Sequence, residues 1–274
     1  MPRILRFKSW LLTALWGTEN WVVSARPTGA TEIVGGPLAG KTLRDVWPDF
    51  PLLFKLIDTQ MRISVQVHPN ERTSVLTGGE PKTEMWCLLT DGVIYAGLKP
   101  GVDARAVEEA IRKGNFTDIL VRHEGKAGDI FYIPGGLVHA MGDNLRLYEV
   151  QQSSATTFRL YDWGRVGPDG RPRQLHIAEA LQAIDYSLPP PRPVQAVESP
   201  YFAFHKVSVS GRATGRLDAA FAVFYVLRGA LRLKGELFEA GESALVTSGG
   251  DLALEGTDAA LFVTLPGGGA FNLD

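Results

Sequence analysis

Gly128-Asp129-Ile130-Phe131-Tyr132-Ile133-Pro134-Gly135-Gly136-Leu137-Val138-His139 is a short apolar run that enters a Pro-Gly-Gly turn and at once presents a histidine. Ile130 to Ile133 has the β-branched and aromatic composition of a strand. Pro134 ends the ladder, and the two glycines permit a tight reversal. A small β-barrel delivers an imidazole into its mouth by such a turn.

Upstream, Ser64-Val65-Gln66-Val67-His68-Pro69-Asn70 reads as a strand end. Alternate residues of a strand share a face, so Ser64, Gln66 and His68 point one way while Ile63, Val65 and Val67 point into a core. Pro69 removes a ladder donor and leaves His68 at a cavity rim. Lys82-Thr83-Glu84-Met85-Trp86-Cys87-Leu88-Leu89 is a further strand, with Lys82, Glu84 and Trp86 on one face and Met85, Cys87 and Leu89 on the other. Cys87 is therefore a small core residue and not a nucleophile. A single strand histidine or carboxylate is usually just packed or solvated; three segments that converge make a site. The spacing from Gly128 through Pro134-Gly135-Gly136 to His139 resembles the second signature of the cupin superfamily, with Asp143 where Asn is usual. Gln66, His68 and Glu84 occupy the place of the first signature.

The 274 residues, 45% of them hydrophobic, suffice for a large core. With 28 basic and 30 acidic side chains the formal net charge is −2, which argues against nucleic acid or an anionic membrane as partner. One cysteine allows no intrachain disulfide, consistent with a reducing compartment. Arg3, Arg6 and Lys8 before the apolar run Trp10 to Trp16 imitate a secretory leader, but the run is short and rich in Trp, so a cytoplasmic, soluble protein is expected.

Short runs such as Trp21-Val22-Val23-Ser24 and Thr31-Glu32-Ile33-Val34, punctuated by turn residues, predict strands of a sandwich or barrel. Thr42 to Val46 suggests one helical turn, Glu71 to Pro81 a polar loop, and Val102 to Gly114 a capped helix with a solvated charged face. Tyr148 to Arg165 is strand-like yet dense in Gln, Ser, Thr and Arg, as a polar cavity wall would be. A helix is expected over Leu175 to Ile184, and His123, His176 and His205 are read as structural or surface residues. The stiff stretch Ser187-Leu188-Pro189-Pro190-Pro191-Arg192-Pro193 marks a boundary between domains 1–188 and 189–274. Phe202 to Phe262 again reads as short strands but lacks the Pro-x-Gly-x-x-His ending. The expected fold is all-β with a few short helices: two cupin-like jelly-roll barrels, the N-terminal one carrying a metal site and the smaller one none.

The chain resembles the type I mannose-6-phosphate isomerases in their short bacterial form. The resemblance rests on Leu15-Trp16-Gly17, Pro51-Leu52-Leu53-Phe54-Lys55, Ser64 through Asn70, Lys82 through Trp86, Ile133 through Ala140, Gln151 through Ser154, and Arg159 through Trp163. It implies that Gln66, His68, Glu84 and His139 bind one Zn2+, that Arg159 is catalytic, and that Lys82 and Glu149 line the same pocket. The implied reaction interconverts mannose 6-phosphate and fructose 6-phosphate by proton transfer through an enediolate. Two nitrogens and two oxygens do suit a borderline ion such as zinc, other divalent metals included. Arg159 suits sugar oxygens or developing charge. Lys82 suits phosphate or, if desolvated, the role of base, and Ser64 offers a hydroxyl to phosphate. The chain departs from the pattern at Ala155, where relatives tend to have Asp, at Arg26, where His is common, and in a shortened loop after Trp16. An iron-dependent cupin oxygenase and a non-catalytic phosphosugar sensor are the competing readings, and monomer and homodimer are both compatible with the sequence.

Overall fold

The computed structural model describes residues 3–167, 169–247 and 249–273. Strands dominate, arranged in three antiparallel sheets, with a few short helices, as an all-β cupin-like fold requires. The chain forms two compact units, one of Leu11–Asn20 with Pro51–Val194, the other of Met1–Trp10, Trp21–Phe50 and Gln195–Asp274. These units cut across the linear division at 188. Within the second unit, Arg3–Lys8 pairs with Ser243–Thr247 in the register Leu5↔Leu245, and Glu32–Val34 pairs with Arg3–Lys8 in turn.

A six-stranded sheet, most of it made by the first unit, runs in the order Ile130–Ile133, Glu84–Leu88, Leu145–Gln152, Leu52–Thr59, Gly17–Val23, Trp10–Ala14. A five-stranded sheet runs Phe158–Tyr161, Val65–Val67, His139–Met141, Gly92–Leu98, Leu120–Gly125. Trp86, Phe131 and Leu147 of the former and Val65, Ile94, Ala140 and Leu160 of the latter belong to one buried apolar cluster. Cys87 is buried, as read from parity.

Short helices close the ends. Helix α1 (Leu43–Val46) of the second unit begins in a Thr42/Asp45 capping box. In the first unit, α2 (Glu71–Thr77) replaces the loop expected over Glu71 to Pro81. Its ends are nevertheless written in the sequence. Asn70 accepts from the Thr73 N–H at 2.9 Å, Thr73 Oγ1 accepts from the Asn70 N–H at 3.0 Å, and Gly78 ends the helix in the left-handed region at φ 71°. Helix α3 (Ala104–Lys113) follows the Asp103 cap and stops at Gly114, as expected. Helix α4 (Ile177–Ala183) buries Ala180 and Ala183.

The second unit is built on a nine-stranded sheet. Its strands Phe202–Asp218, Phe221–Leu233 and Gly250–Pro266 are longer than the short strands expected there. Glycines that look like breaks are absorbed as bulges: the register shifts between Val209 and Gly211, and again between Arg228 and Ala230, around Gly229. Phe224, Leu231, Phe238, Leu252 and Val263 fill its core.

Candidate active site

Two rows of side chains on facing sheets form the site. In the five-stranded sheet Gln66 is the register partner of both His139 and Arg159, so the central strand carries Gln66 between an imidazole and a guanidinium. In the six-stranded sheet Glu149 pairs with Lys55 on one side and Trp86 on the other, and Glu84 pairs with Gln151. The three segments that bear His68, Glu84 and His139 are tied together by their backbones. Gly136 N–H donates to His68 O at 2.7 Å, Lys82 N–H to Pro69 O at 2.9 Å, and Gly135 N–H to Thr83 Oγ1 at 3.1 Å. A Cβ at Gly135 would lie 2.7 Å from Pro69 O and 2.9 Å from Asn70 N. Only glycine permits that approach.

His68, Glu84 and His139 are all buried, and their ligand atoms lie within 4.8 Å of one another, a group able to hold a metal ion. Glu84 Oε2 is 3.4 Å from His68 Nε2, and Oε1 is 3.5 Å from His139 Nε2. His139 Nδ1 lies 2.8 Å from Leu137 O. A carbonyl only accepts, so Nδ1 carries the hydrogen and Nε2 turns its lone pair to the cluster. Lys82 Nζ stands 3.0 Å from His68 Nε2 and 3.0 Å from Glu84 Oε2. The ammonium only donates, so His68 too offers a lone pair at Nε2. Burial, reinforced by the Lys82 charge, pushes the His68 imidazolium down to about 3 against the pull of Glu84. Burial likewise lowers His139. Glu84 is held well below the usual carboxylate range: burial works against ionisation, and the Lys82 charge leads what outweighs it. Neutral imidazoles facing an ionised carboxylate, paired at one oxygen with Lys82, are a donor set that suits a divalent cation. Gln66 Nε2 faces His139 Nε2 at 3.4 Å while Ser64 Oγ donates to Gln66 Oε1 at 3.3 Å; a half-turn of the amide would bring the oxygen to the cluster without changing its shape.

A cavity of about 370 Å³ opens beside this group, lined among others by Gln66, Ser64, Lys82, Glu149, Ala155 and Arg159. Arg159 Nε donates to Ser64 Oγ at 3.2 Å and Nη1 to Gln174 O at 2.8 Å. Glu149 Oε2 accepts from Trp86 Nε1 at 3.0 Å, and Oε1 lies 2.9 Å from Lys55 Nζ, which also meets Glu19 at 3.2 Å. Burial and the neighbouring Glu84 charge raise the Glu149 carboxyl, with Lys55 opposing. Burial works against the Lys55 ammonium, but Glu149 and Glu19 prevail and hold it above its ordinary value.

Every residue singled out from the sequence as ligand, catalytic group or substrate contact thus falls on the cluster or the cavity wall. Asp143, in the place of the signature Asn, turns away and forks Arg62 at 2.8 Å. His123 Nε2 donates to Ala96 O at 3.0 Å and its ring packs on Phe131, a structural role. His176 is closer to the site than expected: its Nδ1 accepts from the Arg159 N–H at 3.2 Å and its own N–H donates to Arg159 O at 2.8 Å. Lys55, Glu19, Trp16, Thr157 and Arg173 also line the cavity. The inward parity of Lys55 with Leu53 and Ile57, a charge in an apolar strand, was the available signal for the first; nothing local marks the others.

A β-sandwich of cupin type that carries a buried His–Glu–His group able to hold a metal ion, beside a charged cavity, defines the class of protein. No protein-family model matches the chain. Whole-chain comparison is more specific. Mannose-6-phosphate isomerase ManA of Bacillus subtilis is 33% identical over 87% of this chain and 86% of its own length. The same organism's protein named probable mannose-6-phosphate isomerase GmuF is 35% identical over the same shares, 87% and 86%. The crystal structure of the mannose 6-phosphate isomerase from Bacillus subtilis superposes with a TM-score of 0.85 at 26% identity, covering 95% of this chain and 99% of that one. The chain belongs to the mannose-6-phosphate isomerase family.

Proposed function

We propose that the protein is a zinc-dependent isomerase that interconverts mannose 6-phosphate and fructose 6-phosphate in the cytoplasm. The observation that carries this reading is the convergence, in one cavity, of the His68–Glu84–His139 group with Lys82, Arg159 and Glu149. His68, Glu84, His139 and the amide oxygen of Gln66 are the groups that would hold the ion, which supplies Lewis acidity toward the sugar oxygens. The net reaction takes a proton from C2 of the open-chain aldose and delivers one to C1, while O2 loses its hydrogen and O1 gains one, through an enediolate. Lys82 and Glu149 are the groups on the wall able to hold and return a proton, and the raised Glu149 carboxyl keeps one available. Arg159 faces the oxygens on which negative charge develops and stays charged throughout. Ser64, anchored by Arg159, adds a hydroxyl contact to the substrate. A wall carrying Lys55, Lys82, Arg159 and Glu19 suits a polar anionic substrate better than the apolar one an iron oxygenase reading requires.

The test is isomerisation of mannose 6-phosphate by metal-stripped protein titrated with Zn2+. Activity that returns with about one ion per chain, and is lost in Arg159→Ala and His139→Ala, supports the proposal. Zinc binding without turnover of any phosphosugar overturns it in favour of a sensor.

A further inference from the structure

We propose that Arg173, held in place by Asp162, recognises the phosphate of the substrate and makes the cavity select phosphorylated over neutral sugars; this deepens the isomerase reading and rests on it. Asp162 belongs to the Arg159-to-Trp163 motif yet has no place in the metal group. It is buried, and its carboxylate forks Arg173, with Nε to Oδ2 at 2.8 Å and Nη2 to Oδ1 at 2.6 Å. Arg165 Nη2 shares Oδ1, while Arg165 Nη1 is tied off on Arg62 O at 2.6 Å. The fork uses Nε and Nη2 of Arg173, which leaves Nη1 uncommitted among the described residues, and the side chain lines the cavity with Arg159 and Ser64.

The backbone is built to hold this fork. A register shift between Arg159 and Tyr161 rotates the strand before Asp162, and Trp163 and Gly164 then lie in the left-handed region at φ 59° and 70°. That conformation is unfavourable for Trp163, and its indole N–H secures the turn by donating to Ile63 O at 2.6 Å. The loop closes through the bridge Val166↔Pro172 and the bond from Gly167 N–H to Arg171 O at 2.7 Å, and so returns Arg173 to Asp162. The charges do not balance: Arg159, Arg165 and Arg173 gather around one carboxylate, Asp162, a surplus that a phosphate dianion matches. Burial and then the Arg173 charge lower the Arg159 guanidinium, with Asp162 opposing.

The experiment compares kcat and KM for mannose 6-phosphate and for mannose, and inhibition by inorganic phosphate, in the zinc-loaded wild type, Arg173→Gln and Asp162→Asn. Arg173→Gln is expected to lower the preference for mannose 6-phosphate over mannose, as kcat/KM, by about 10- to 100-fold and to weaken phosphate inhibition in parallel. Asp162→Asn is expected to raise KM for mannose 6-phosphate more than it lowers kcat, which a purely structural ion pair would not do. If Arg173→Gln fails to fold, Arg173→Lys, which keeps the charge and loses the fork, must show an intermediate loss of preference. Equal loss on both sugars, or unchanged phosphate inhibition, overturns the inference and leaves the isomerase reading intact. Inorganic phosphate bound through Arg173 in a wild type that turns over no mannose 6-phosphate does the reverse.

Discussion

Trp86 shows how one side chain serves both halves of the site. It fills the core behind His139, ring to ring at 5.4 Å, and its single N–H is spent on Glu149. Trp86→Phe keeps most of the volume and orphans one oxygen of a buried carboxylate, so kcat should fall about 10-fold with the uptake of added Zn2+, read by atomic absorption, unchanged. Glu149→Gln should be far more severe, about 100-fold or more in kcat, again with the metal retained, because its oxygens lie outside the metal group. Asp162 provides a pH signature. Although burial works against its charge, Arg173 and Arg165 hold the carboxyl below its ordinary value, so the folded state binds its proton less readily than the unfolded chain does. The stability it contributes is full above the unfolded value, near pH 4, and is lost as pH falls through the lower folded value. Urea unfolding should therefore show Asp162→Asn destabilised by about 1–3 kcal/mol at pH 7, with the gap to wild type closing below about pH 4.

At the scale of elements, the metal group depends on how closely two turns approach. Gly135→Ala must push the Pro134–Gly136 turn away from Pro69 and Asn70, separating His139 from His68. The expected outcome is protein that keeps its far-UV circular dichroism but takes up zinc with at least 10-fold lower affinity. Asn70→Ala instead removes the cap of α2 at about 1 kcal/mol, a loss of about 2–4 °C in Tm. Most strands of the first unit were legible because their alternation is local: parity put Gln66 and His68 on one face and Cys87 in the core, and Pro134-Gly135-Gly136 announced the turn. The helix α2 was missed because the polar surface of a seven-residue helix resembles a loop, although Asn70, Thr73 and Gly78 mark both of its ends. The long strands of the second unit were read as short because a bulge glycine and a turn glycine look alike until the partner strand is known.

At the scale of the molecule, the Pro-rich stretch at 187–193 is a change of unit but not a place to cut. Arg3–Lys8 supplies the partner of Ser243–Thr247, and Trp47 and Phe50 pack on Phe221 at 5.5 Å and 5.0 Å. A fragment of residues 189–274 would expose that strand edge and the apolar surface beneath the aromatic group. It should be insoluble or unfolded by circular dichroism when expressed alone, whereas co-expression with residues 1–188 should restore soluble material. A folded, monomeric 189–274 fragment would contradict the pairing.

The residue types of the site, the faces they occupy and the kind of chemistry they suit follow from the sequence alone. Alternation along a strand, the chemistry of His, Glu and Gln, and the conformational limits of Pro and Gly act over a few neighbouring residues. Only the tertiary structure decided which distant residues share the cavity. Lys55 and Glu19 lock Glu149, His176 braces Arg159, Asp162 aims Arg173, and the first strand joins the last unit. Those outcomes depend on sheet order and register, which arise from pairing between segments far apart in the chain and leave no periodic trace in either one.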